Sequence, residues 1–144
     1  MKVLCISNTG SYLRKYEYEK VVDEHFGRFG SSAYSKYDLT IGRQYLVMGI
    51  LTFKTYQAYL VDDDGMISVC PCQLFEIIDS YLNPNWGFRL IDNDESIYPF
   101  LQSILGYFEL YSERDMYEKL IIEGNDQAER IYYQRKLEFQ SQIQ

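Results

Sequence analysis

Between Tyr45 and Ile91, apolar and polar residues alternate with a period of two through several short segments separated by turn residues, a pattern that commits the middle of the chain to β-structure. The clearest unit is a hairpin. Along Tyr56–Val61, the residues Tyr56, Ala58 and Leu60 fall on one face and Gln57, Tyr59 and Val61 on the other. Asp62-Asp63-Asp64-Gly65 then supplies a turn, because Asp-Gly tolerates the positive backbone angles that tight hairpins need, and Met66–Cys70 returns as the partner strand. Pro71 ends that strand, since it has no N–H for a ladder.

Other segments extend the pattern. Tyr45–Leu51 reads as a strand in which Gly49 permits a sharp bend or bulge, and Phe75–Asp79 reads as another. After the turn at Asn83-Pro84-Asn85, Trp86, Phe88 and Leu90 alternate with Gly87, Arg89 and Ile91. Lys2–Ser7 is a short apolar run closed by Asn8-Thr9-Gly10 and predicts a further strand added to the same sheet. Residues 11–36 lack periodicity; a loop-rich stretch is expected there, with a helical turn near Glu17–Glu24.

Beyond Ile91 the period lengthens. Ile97, Phe100, Leu101, Ile104, Leu105 and Phe108 have the spacing of one helical face, with Pro99 tolerated in the first turn. Ser112 with Asp115 predicts the cap of a second helix over Glu113–Glu123, ended by Gly124, and Asn125 predicts the cap of a final helix running to about Phe139. The expected fold is α+β: a small, mostly antiparallel β-barrel of about five strands followed by two or three C-terminal helices. Residues 1–144 are expected to make one domain, with an N-terminal strand and loop-rich segment (1–36), a barrel core (37–91) and a helical extension (92–144).

Charge restricts the partners. The chain carries 21 Asp and Glu against 14 Lys and Arg, a net −7, and residues 62–95 hold 8 acidic groups against 1 basic. Nucleic acid and anionic lipid attract the opposite sign, so direct binding to either is disfavoured. No apolar run approaches membrane-spanning length, and three cysteines without a secretory leader pattern predict a reduced cytoplasmic protein with free thiols.

No motif carries catalysis. Cys70-Pro71-Cys72 places two thiols close together, but a zinc site needs four ligands and only Cys5 and His25 remain to complete one. Buried cysteines at a strand end account for the pattern, and no cofactor is implied. The run Asp62–Asp64 lacks the alternating ligands and closing Glu of a calcium loop; its functional reading is an acidic recognition surface. The chain has 15 Tyr and one Trp, residue types that dominate binding hot spots. The candidate protein-binding residues are Tyr56, Tyr59, Asp62, Asp63, Asp64 and Trp86.

From Tyr45-Leu46-Val47-Met48-Gly49-Ile50, through Tyr59–Gly65, to Phe75–Asp79 and Trp86, the chain resembles an SH3-like barrel. It is also loosely similar to small bacterial proteins in which such a barrel carries a C-terminal helical extension, among them immunity proteins of toxin systems. The resemblance implies an immunity protein and carries no site residues; the acidic, tyrosine-rich composition without an active-site motif points to a non-enzymatic protein-binding role with a basic partner, a toxin in that case. A small-ligand or thiol-dependent enzyme working in the barrel mouth through Cys70 or Cys72 and His25 stays open as an alternative, as does an interaction module of a larger assembly.

Overall fold

The computed structural model describes residues 1–142 and places eight strands in two antiparallel sheets, with a long helix at the end. In chain order the elements are β1 (Lys2–Cys5), α1 (Gly10–Leu13), β2 (Gln44–Leu46), β3 (Gly49–Phe53), β4 (Gln57–Asp63), β5 (Met66–Pro71), β6 (Phe75–Asp79), β7 (Gly87–Leu90), β8 (Leu101–Gly106), α2 (Phe108–Ser112) and α3 (Asp126–Gln142). The smaller sheet has the order β2-β1-β6 and the larger the order β5-β4-β3-β8-β7. The α+β class and the C-terminal helix are as expected; in place of one closed barrel, the strands form two sheets.

The hairpin forms as its sequence requires. Asp63 stands opposite Met66, and the two-residue turn places Asp64 at φ 47° and Gly65 at φ 88°, both in the left-handed region that a tight hairpin uses. β4 is buried on both faces. Ala58 and Leu60 enter a core beneath the C-terminal helices, with Met48, Leu51, Ile104, Leu110 and Tyr132, while Tyr59 and Val61 enter a core between the sheets, with Val3, Cys5, Tyr45 and Phe75.

Two chain segments serve both sheets. At the junction of β2 and β3, the Val47 N–H donates to the carbonyl of Met1 and the next N–H, of Met48, donates to Leu60 on the other side. Similarly, β5 passes into β6 through a single tight helical turn at Cys72–Leu74.

Three expectations change. Leu101–Gly106 is a strand inside the larger sheet, with β3 on one side and β7 on the other, and not a helix. Six residues with Pro99 and Gly106 at their margins hold only a weak helical preference, and pairing along both edges outweighs it. The helical turn of the N-terminal segment lies at Gly10–Leu13, where the Thr9 hydroxyl accepts the Tyr12 N–H, and not at Glu17–Glu24. Ser112 closes α2, and its side chain caps no helix among the described residues. The helical turn after it, with its wide-wound part at Glu118–Ile122, does end at Gly124, whose φ is 62°, and the Asn125 side chain accepts the Ala128 N–H at the start of α3.

A row of glycines fixes how the C-terminal part lies on the larger sheet. Gly49, Gly106 and Gly87 stand side by side on β3, β8 and β7. A Cβ at Gly106 would come within 2.7 Å of Leu110 Cδ2 and 3.1 Å of the Met48 carbonyl oxygen, and one at Gly87 would enter the Tyr111 ring. The absent side chains form a trough that receives α2, whose Leu110 is fully buried. Gly106→Ala is expected to cost about 1–3 kcal/mol of stability in urea denaturation through overpacking. Leu110→Ala alone is expected to cost roughly 2–5 kcal/mol and to cost less in the Gly106→Ala background, where the new methyl occupies part of the vacated space.

Candidate functional site

The three aspartates at the hairpin have separate placements. The Asp62 carboxylate is nearly buried and takes the Lys136 ammonium at 2.8 and 2.9 Å and the Tyr132 hydroxyl at 2.8 Å, both from α3. Asp63 turns to the opposite side, where it accepts the Tyr45 hydroxyl at 2.6 Å and the Thr40 hydroxyl at 2.8 Å and is held by Arg43. Burial acts to raise the pKa of Asp63, but the hydrogen bonds from Tyr45 and Thr40 and the charge of Arg43 outweigh it and hold the group below the usual carboxylate range. Burial, and then the bond to Asp63, push Tyr45 up to about 12. Asp64 alone presents its carboxylate to solvent, with 86% of its side chain exposed.

The aromatic candidates are also divided. Tyr59 is buried between the sheets, 5.6 Å from the Phe75 ring. Tyr56 is half-buried, stacked on Phe53 at 4.9 Å and against Phe29 at 5.6 Å. Trp86 touches both cores, faces Phe139 of α3 at 6.5 Å and forms part of the wall of a cleft of about 480 Å³ between Leu46, Tyr81, Asn83 and the end of α3. Of the six residues, the structure thus leaves Asp64 and part of Tyr56 and Trp86 at the surface, and it does not bring these three into one patch.

The thiols sit away from that cleft. Cys5 and Cys70 are buried in the core between the sheets, and burial raises both pKa values, that of Cys70 to about 12; Cys72, half-buried, is raised for the same reason. His25 lies in the irregular segment after α1, whose path is fixed by the Arg14 guanidinium donating to the carbonyls of Val22, Asp23 and His25 and by Glu17 accepting the Arg28 N–H. Among the described residues, no group of three or more His, Cys, Asp and Glu is placed to hold a metal ion, and no helix is long and apolar enough to cross a membrane.

A second acidic stretch overlaps the end of the first. Residues 89–129 hold 10 Asp and Glu against 3 Lys and Arg, so their net charge of −7 equals that of the whole chain. Arg114 draws parts of this segment together by reaching Asp92 and Asp94, each at 2.9 Å, and Ser96 donates to Glu118 at 2.9 Å. Glu113, Glu123 and Asp126 are exposed and make no ion pair among the described residues. Leading into this stretch is β7, the border strand of the larger sheet, with Phe88 58% and Leu90 68% exposed. The alternation of Phe88 and Leu90 is legible in the sequence, but their exposure is not, because it follows from β7 having a neighbour on one side only.

No family profile, no curated protein and no solved structure matches this chain.

Two measurements test the placements. Asp62→Ala strands the Lys136 ammonium in a mostly buried position and is expected to cost roughly 3–5 kcal/mol, of which Lys136→Met in the same chain should restore a large part, both read from denaturation midpoints. In a thiol titration of the folded chain, Cys5 and Cys70 should stay unreactive while Cys72 reacts slowly, and all three should react once the chain is unfolded. Rapid modification of Cys70 in the folded state would contradict its enclosure.

Proposed function

We propose that this chain is a non-enzymatic protein-binding domain whose partner is a basic protein, and that it serves as a bacterial immunity protein that neutralises a toxin by occupying the toxin's cationic surface. The observation that carries the reading is the acidic stretch 89–129, which holds 10 Asp and Glu against 3 Lys and Arg, and in which Glu113, Glu123 and Asp126 are exposed and make no ion pair among the described residues. A field of one sign steers a partner of the other and accelerates association, which is the property an inhibitor of a fast-acting toxin requires. A toxin that acts on nucleic acid offers such a surface, because its own substrate is a polyanion.

In the same reading the scaffold is an SH3-like barrel. Supporting this, the pairing passes from β1 to the bent β2–β3 segment, then to β4, then to the β5–β6 segment, and back to β1. β8, β7 and the helices are additions on one flank. The enclosure of Cys70, and the raised pKa that burial gives both Cys70 and Cys72, favour recognition over the thiol-enzyme alternative, since a nucleophile must be both ionised and within reach.

The test is calorimetric titration of the chain with the purified products of its neighbouring genes. A basic product is expected to bind, with an affinity that falls as salt rises. The triple change Glu113→Lys, Glu123→Lys, Asp126→Lys should slow association at least tenfold while leaving the dissociation rate nearly unchanged. Absence of binding by every neighbouring product would sink the immunity reading.

A further inference from the structure

The border strand β7 combines features that together define a docking mode. Its pairing with β8 sets Leu90 opposite Ser103, and just past the strand the Ile91 N–H donates to the Gln102 carbonyl. Because backbone groups alternate in direction along a strand, Gly87, Arg89 and Ile91 turn their N–H and C=O groups to β8, whereas those of Phe88 and Leu90 point away from the sheet. Natural border strands are commonly guarded by outward charges, prolines or a covering loop. Here the charge is withdrawn. The Arg89 guanidinium is folded back to donate to the Tyr111 carbonyl at 2.6 Å and to Glu95 at 2.7 Å, and the side chains beside the free backbone groups are the exposed Phe88 and Leu90.

Charge selects the occupant. The chain leaving β7 runs directly into Asp92 and Asp94, which share the one guanidinium of Arg114 and so keep an excess of negative charge with about two thirds of each side chain exposed, and thence into the rest of the stretch with the net −7. A second copy of this protein would bring an equal negative field against this edge. An extended segment with lysines or arginines would meet the opposite sign.

We propose that β7 is a strand-addition site, at which an extended, basic segment of a partner protein pairs with Phe88 and Leu90, lays alternate apolar side chains against theirs, and sets its cationic residues toward Asp92 and Asp94. This rests on the protein-binding reading above and supplies its contact.

The probe is a synthetic ten-residue peptide alternating Val and Lys, compared with a Val/Glu peptide of the same pattern and with oligolysine of the same length. Amide hydrogen exchange of the full chain, with equilibrium affinity measured alongside, gives the readout. Val/Lys is expected to slow exchange at the Phe88 and Leu90 amides at least tenfold and to lose at least tenfold in affinity between low and high salt. The Val/Glu peptide and oligolysine should leave both amides unprotected.

Leu90→Pro removes one outward N–H without touching the β8 ladder and should abolish the protection. Leu90→Lys, at a side chain already exposed, should weaken binding without altering the melting temperature. Equal protection by the Val/Glu peptide, or protection in the unliganded chain that grows with its concentration and so marks self-pairing, would overturn the proposal. Binding by a neighbouring gene product that leaves the Phe88 and Leu90 amides unprotected would overturn the docking mode and leave the protein-binding reading standing.

Discussion

β4 is buried on both faces, and the arrangement of the molecule follows from that. Alternation sends Ala58 and Leu60 into the core under the helices and Tyr59 and Val61 into the core between the sheets. The same alternation continues to the end of the strand, where the residues are acidic. Asp62, in step with Ala58 and Leu60, faces the helix side and meets Tyr132 and Lys136 of α3; Asp63, in step with Tyr59 and Val61, faces the other side and meets Tyr45, Thr40 and Arg43. A partly enclosed carboxylate is tolerable only where hydrogen bonds and an opposite charge replace its water, and each aspartate has both. Adjacent residues of like charge thereby pin opposite sides of the protein to one strand.

This explains how much of the site was legible. The alternation from Tyr56 to Val61, the turn at Asp64-Gly65 and the division of the strand's side chains between two faces are all local properties, and local geometry preserves them. What local pattern does not contain is how far the strand continues. An Asp-rich run before Gly reads as a solvated turn, whereas β4 extends to Asp63 and leaves only Asp64 and Gly65 to make the turn. The partners of Asp62 lie 70 and 74 residues away, a separation over which no sequence period carries information. Alternation puts Tyr59 on the observed strand face, but whether that face is a surface or a core depends on the smaller sheet, assembled from β1, β2 and β6.

The helical spacing from Ile97 to Phe108 misleads over Leu101–Gly106 for a related reason. Gly106 meets Gly49 on one side and Gly87 on the other, and that coincidence exists only in the sheet. Three glycines in register make a trough deep enough for Leu110 and Tyr111, so the strand assignment and the seating of α2 support one another. The final helix, by contrast, was legible from its cap, because Asn125 satisfies the N–H of Ala128 within a single turn and needs no distant partner.

The charge distribution adds a further constraint. Arg89 could have guarded the border of the larger sheet; it is instead bound to Tyr111 and Glu95, where it ties β7 to α2 and to the loop that follows the strand. The edge is left with apolar side chains, an arrangement that invites pairing between copies unless something opposes it. β7 is only four residues long, which limits the hydrogen bonds that a second copy could gain, and it borders the segment with the net −7, which repels that copy. Repulsion between like fields opposes self-pairing, and under the docking mode proposed above the same charge would favour a cationic strand, so one distribution of charge would disfavour one partner and attract another.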